Sequence, residues 1–195
     1  MSERILNVQR SVSSNGRTFR SNLEVETAKV LDALHIPYQY EEKKIVLQKG
    51  FHCPYQKDKV RDLTYTPDFL IGSNILLECK GFETPEWKIK KKLVFKYLMD
   101  REPGLFFYQV HDCKKQLLEV LDRNWTALGL ILQVTPEPKG RKRDGEVNTP
   151  ILFHSISEAM QQLSLKKPIG RILLSLMGKK EYVYGYNWKL IKLPL

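Results

Sequence analysis

The sequence predicts an α/β fold with a mixed central sheet flanked by helices, followed by a small helical C-terminal module. Three observations carry this expectation. Helix-like and strand-like segments alternate from residue 21 to residue 134. Two short apolar runs, 69–71 and 75–79, are separated by Gly72, Ser73 and Asn74 and read as a hairpin. The composition then changes at 136–150 to PEPKGRKRDGEVNTP, rich in proline, glycine and basic residues.

With 195 residues and roughly 150 residues per domain, the chain accommodates one full core and an appendage. The expected division is 1–135 for the core with a basic N-terminal arm, 136–150 for a linker, and 151–195 for the small module. Hydrophobic residues at 42% and charged residues at 28% can bury a core and exclude a wholly disordered or collagen-like chain.

The elements follow in order. Ser21 is a plausible N-cap with Glu24 three residues on, and Leu23, Val30, Leu31 and Leu34 give the following helix a buried face that ends before Pro37. Residues 38–47 alternate like a half-buried strand, and 48–62 form a polar loop. After the 69–79 hairpin, residues 85–99 form a basic helix with Trp87, Leu93, Val94, Tyr97 and Leu98 as packing candidates. Strand 105–110, helix 113–123 and a short strand at 129–134 complete the core. Beyond the linker, 155–163 and 168–177 have helix, turn, helix spacing, Pro168 suits a first helical turn, and 181–195 interleaves aromatic and basic residues as a strand or arm.

Lysine plus arginine total 32 against 22 acidic residues, a net charge of +10 that favours polyanions such as nucleic acid, although an acidic protein partner also fits. No apolar run approaches 18 residues and the N-terminus lacks a secretory signal, so an intracellular, cytoplasmic protein without a membrane partner is expected. Three widely spaced cysteines suggest a reducing compartment.

The chemistry-bearing residues cluster on the hairpin. Asp68 follows Pro67, and Glu78, Cys79 and Lys80 lie in LLECKG. Alternation along a strand projects Glu78 and Lys80 from one face, where Asp68 on the neighbouring strand can approach. Hard oxygen ligands suit magnesium, with manganese as a substitute, held by Asp68, Glu78 and the Cys79 backbone carbonyl beside a phosphate. Lys80 orients or deprotonates the attacking water, or stabilises phosphoryl charge. Glu24 is the best third carboxylate, with the reciprocal glutamate of a Ser21 capping box as its alternative role. For DNA binding the candidates are Arg17 and Arg20 in the arm, Lys88, Lys90, Lys91 and Lys92 on the basic helix, Arg141, Lys142 and Arg143 in the linker, and Lys166, Lys167 and Arg171 at the second C-terminal helix. A solvated helix face is the plain alternative for the lysines of the basic helix. His52 with Cys53 and His111 with Cys113 have only weak zinc spacing, and His35 and His154 receive no catalytic role.

FRSNLE, IPYQYEE, YTPDFL and LLECKG, spread over residues 17–81, resemble the phage endonuclease I family of junction-resolving enzymes within the PD-(D/E)XK nuclease superfamily. The resemblance implies a restriction-endonuclease-like core, Glu24, Asp68, Glu78 and Lys80 as a catalytic quartet, a phage or bacterial origin, and an intertwined homodimer in which Glu24 completes the partner's site. SISEAMQQLSLKKPIGRILLSLMGKK followed by YVYGYNWKL resembles the small helix-turn-helix module appended to homing endonucleases. Together these imply a magnesium-dependent endodeoxyribonuclease acting site-selectively on duplex DNA. A structure-selective enzyme that resolves four-way junctions, and a catalytically silent DNA-binding protein on a nuclease scaffold, are the alternatives.

Overall fold

The computed structural model describes residues 11–12, 16–138 and 149–193. The chain divides into two units, one comprising Met1–Val25 and Pro37–His111, the other Glu26–Ile36 and Asp112–Leu195.

In the first unit, β1 (Ser11–Val12) pairs antiparallel with β2 (Thr18–Phe19), and α1 (Asn22–Ala33) begins directly after. The half-buried strand expected over 38–47 is two strands, β3 (Tyr38–Tyr40) and β4 (Ile45–Gln48). Between them Glu41 takes a left-handed backbone, φ 50°, and donates its N–H to the Asp68 carbonyl at 3.0 Å. That turn sends the two stretches into different sheets, since a non-glycine residue in this region breaks a strand. β4 pairs with β5 (Leu63–Tyr65) in a two-stranded ribbon.

The remaining strands form the sheet that carries the chemistry. β6 (Phe69–Ile71) lies between β3 and β7 (Ile75–Cys79), antiparallel to both, and β8 (Phe106–Val110) joins β7 in parallel. The parallel step needs a crossover, supplied by α2 (Pro85–Arg101). Thr84 caps α2 by accepting from the Trp87 N–H at 3.2 Å, and Pro85 occupies the first turn where its missing donor costs nothing. Gly72 supplies the positive φ, 58°, at the β6–β7 turn.

All five residues of β7 are buried, as expected of a central strand covered on both faces. Leu76 packs with Ile45, Tyr65, Trp87, Val94 and Leu98 in the main apolar cluster. Leu76→Ala is therefore expected to cost about 2–5 kcal/mol, read as a lower urea midpoint at unchanged m-value. Leu93, expected in this cluster, is 40% exposed instead: the buried stripe of α2 is Trp87, Val94 and Leu98, spaced by seven and four residues, and position 93 falls outside it.

In the second unit α3 (Lys115–Asp122) buries Leu117, Leu118, Val120 and Leu121. β9 (Leu130–Pro136) is the centre of an antiparallel sheet, between β10 (Ile151–Phe153) and β11 (Tyr186–Lys192). The expected linker 136–150 therefore connects two paired strands, and Arg141, Lys142 and Arg143 lie outside the described residues. α4 (Ile156–Gln162) starts with Ser155 as its N-cap: the Glu158 N–H bonds to Ser155 Oγ at 3.0 Å, and the His154 N–H to Glu158 Oε2 at 2.8 Å. Asp122 is buried and accepts from Ile156 N–H, Ser157 and the Trp125 indole. Trp188 is fully buried, with its indole N–H on the Val183 carbonyl at 2.9 Å.

The C-terminal region is thus partly helical, and among the described residues no discrete helix-turn-helix is shown. A 3-10 turn (Ile169–Arg171) precedes α5 (Ile172–Leu176), whose five residues give an axis of about 7.5 Å. Pro168 caps the 3-10 turn where a longer helix was expected to start. Among the described residues no helix is long and apolar enough to cross a membrane.

Candidate active site

The first unit contains a cleft of about 500 Å³ lined by Glu24, Asp68, Glu78, Cys79 and Lys80, with Arg20, Tyr65, Trp87 and Lys90 around them. The expected quartet therefore shares one cavity. The register explains half of this. Phe69 opposes Leu77, so one step further along the antiparallel pair Asp68 opposes Glu78, on the edge where β6 begins and β7 ends.

Each carboxylate is held by identifiable donors. Asp68 Oδ2 accepts the Cys79 N–H at 2.6 Å. Glu78, 4% exposed, receives the Lys80 ammonium on Oε1 at 2.9 Å and the Tyr65 hydroxyl on Oε2 at 2.8 Å. Glu24, 5% exposed, plays the capping part while lining the cleft. Its N–H bonds to Ser21 Oγ at 3.3 Å, and its carboxylate accepts from Ser21 Oγ at 2.6 Å, from the Arg20 N–H at 2.9 Å and from the Tyr40 hydroxyl at 2.6 Å. The two roles weighed as alternatives are geometrically compatible.

These acids crowd one another. Burial, then the nearby Glu78 and Glu24 carboxylates, push the Asp68 carboxyl up to about 8 from its ordinary 3.8, against the lowering effect of the Cys79 N–H and Lys80. Burial and the Glu78 carboxylate raise the Tyr65 phenol, and burial and Glu24 raise Tyr40, so both phenols stay protonated and act as donors.

Lys80 has a second support. Its ammonium sits 4.6 Å from the centre of the Trp87 ring, within the range of a cation–π contact. The indole N–H donates to Gln109 Oε1 at 2.9 Å, and the Gln109 amide donates to Glu83 Oε1 at 2.7 Å. Lys91, expected to contact DNA, bonds to Glu83 and Gln109; a half-buried ion pair holds it. Of the other expected DNA contacts in this unit, Lys88 and Lys92 are exposed on α2, Lys90 reaches the cleft, Arg20 pairs with Glu41 at 3.0 Å beside it, and Arg17 lies 5.6 Å over the Tyr38 ring. In the second unit Lys166, Lys167 and Arg171 are exposed around the 3-10 turn.

Sequence alone marks Trp87 only as a packing residue and does not single out Tyr40, Tyr65 or Gln109. Only the YTPD run, with Tyr65 three residues before Asp68, hints at one of them; Trp87 lines the cleft, and Tyr40 and Gln109 support it through Glu24 and Trp87. Among the described residues, no group of three or more His, Cys, Asp or Glu side chains is placed to hold a metal ion.

A family model for phage endonuclease I matches residues 5–107, a span that includes every residue lining the cleft. The chain is similar to Endonuclease I of Escherichia phage T7, 35% identical over 78 residues, 39% of this chain and 45% of that protein. It is similar to Endodeoxyribonuclease 1 of Enterobacteria phage T3, 35% identical over 81 residues, 42% of this chain and 47% of that protein. The match spans about half the length of these curated relatives. No solved structure gives a significant match.

Proposed function

The chain belongs to the phage endonuclease I family, and on that premise we propose that it is a metal-dependent DNA endonuclease whose active site is the Glu24, Asp68, Glu78 and Lys80 cleft. The observation that carries the proposal is the convergence of three carboxylates and an ammonium in one 500 Å³ cavity.

A divalent cation fits the donor chemistry. The acids offer only oxygen ligands, and Asp68 is pushed up first by burial and then by the Glu78 and Glu24 carboxylates, the last two being charge that a cation would offset. Magnesium commonly uses one or two carboxylates, with water and phosphate completing its shell, so Asp68 and Glu78 with the Cys79 carbonyl suffice without a third acid. Glu24, already held by three donors, acts as an outer partner. When bound, the cation supplies charge neutralisation at the phosphate and a water of lowered pKa. Lys80 presents a positive donor to the non-bridging oxygens or the attacking water, Tyr65 keeps Glu78 oriented, and the Cys79 N–H fixes Asp68.

Selectivity by backbone geometry is the second reading, and the shortness of α5 favours it: a helix of five residues offers little to lay along a major groove. Lys166, Lys167 and Arg171 then anchor phosphates without reading bases. The deciding experiment incubates the purified full chain with magnesium, manganese or EDTA on long duplex, on random duplex and on a four-way junction, and maps the ends. The reading expects cutting with either metal and none in EDTA. Junction cutting that exceeds duplex cutting supports geometry; discrete sites in the long duplex support sequence. Intact substrates under every metal condition leave a silent binding protein.

Within the same proposal stands a homodimer whose sites exchange Glu24. Mixing inactive Glu24→Gln and Asp68→Asn chains tests it, because exchanged sites assemble one intact centre per mixed dimer and regain activity, whereas self-contained sites stay inactive.

A further inference from the structure

The segment between β4 and β5, expected as a plain polar loop, is a built hairpin arm. Phe51 and Val60 exchange backbone hydrogen bonds at 3.0 and 2.9 Å, and the Gln56 N–H closes a turn on the Cys53 carbonyl at 3.1 Å. The Gly50 N–H donates to Asp62 Oδ1 at 2.7 Å. A Cβ at Gly50 would meet the Val60 carbonyl oxygen at 2.4 Å, so only glycine permits this approach of the two strands. Backbone contacts therefore hold the arm, and its side chains are left for another purpose.

Those side chains have a consistent chemistry. Residues 49–61 carry Lys49, Lys57, Lys59 and Arg61 against one carboxylate, Asp58, while Asp62 is engaged by Gly50. All four cations are exposed, and among the described residues none has a carboxylate within ion-pair distance. At the turn Tyr55 is 92% exposed and contributes nothing to the core. A single exposed aromatic or a solvated charge is ordinary. Here both occur on a backbone-pinned ribbon whose base, Thr64, Tyr65 and Thr66, forms part of the cleft wall. Cations interleaved with an open aromatic are the surface that a nucleic-acid strand covers, phosphates on the cations and a base on the ring.

We infer that residues 49–61 form a second nucleic-acid contact adjoining the cleft, with Lys49, Lys57, Lys59 and Arg61 neutralising phosphates and Tyr55 stacking on a base. The inference rests on the reading of the cleft as a DNA site for its class of ligand, and it assigns these residues to binding, not to bond cleavage.

The test uses the full chain with all four cations changed to Gln, which keeps polar stems and leaves the backbone bonds of the arm in place. A charge-matched comparison changes exposed Lys44, Lys114, Lys179 and Lys180 to Gln. Binding of a labelled duplex in EDTA is followed by anisotropy over a salt series. The arm variant is expected to reduce the slope of log K against log salt by about 2 to 4, at about 0.9 per lost phosphate contact. The comparison variant keeps most of its slope. Tyr55→Ala is expected to weaken binding of a single-stranded oligonucleotide by about 5- to 150-fold, the worth of one stacked base. An unchanged slope, or an equal loss in the comparison variant, overturns the phosphate assignment; unchanged single-strand affinity overturns the stacking. Arm-dependent binding by a chain that cuts nothing would keep the arm and remove the nuclease reading, while cutting without arm dependence would do the reverse.

Discussion

Asp68→Asn is expected to lower magnesium-supported DNA cleavage at saturating substrate by about a thousandfold or more, because a carboxylate in the proposed metal-ligating role contributes several kcal/mol to the transition state. The same change is expected to stabilise the metal-free chain at neutral pH and above. The sign follows from the Asp68 carboxyl, held near 8 in the fold against an ordinary 3.8. Stability from its protonated form is fully present below the ordinary value and is lost as pH rises through about 8, so wild type weakens across that window. Asparagine keeps an oxygen for the Cys79 N–H and has no proton to lose. The difference in Tm, variant minus wild type, should be near zero at pH 4 and grow to its largest above pH 8, and magnesium should narrow it by offsetting the charge. A difference that stays constant from acid to alkali would contradict the environment assigned to Asp68.

Lys80→Ala is expected to reduce turnover by about 10²- to 10⁴-fold, the range for a positioned proton-transfer or charge-stabilising group, with duplex affinity changed far less. Trp87 works through Lys80: the indole lies 4.6 Å from the ammonium and is itself held by Gln109. Trp87→Leu should therefore cost about tenfold in turnover in the wild-type background and little in the Lys80→Ala background, while Trp87→Phe, which retains a π face, restores most of the loss. Equal losses in both backgrounds would reduce Trp87 to a packing residue. A Lys80→Ala chain with normal turnover would instead remove Lys80 from the chemistry.

The parts legible in the sequence were those governed by local pattern. The 69–79 hairpin follows from two β-rich runs around Gly72, and its period of two brings Asp68, Glu78 and Lys80 to one cleft edge. The start of α1 follows from Ser21 with Glu24 three residues on, and α2 from the helical pattern that begins at Pro85. Long-range pairing was not legible. Nothing local distinguishes β9 as a partner of β10 and β11 from β9 as an extra strand of the first sheet. The break at Glu41 depends on a left-handed backbone in a residue type that seldom adopts it. Residues 49–61 look like a loop because their ordering contacts are backbone bonds and one glycine approach, which leave no hydrophobic periodicity. Trp87 reads as a packing aromatic, and it is buried; its second duty at Lys80, like that of Tyr65 at Glu78, depends on cleft geometry.

Glu24 braces the start of a helix, with its carboxylate taken up by Arg20, Ser21 and Tyr40, whereas Asp68 is a burden on the metal-free fold. The two acids would part company in a descendant released from cutting. Selection for folding alone would retain the glutamate and let the aspartate drift, so among distant members of the family an acid at the first position says little about surviving enzymes, and an acid at the second says that something still uses it.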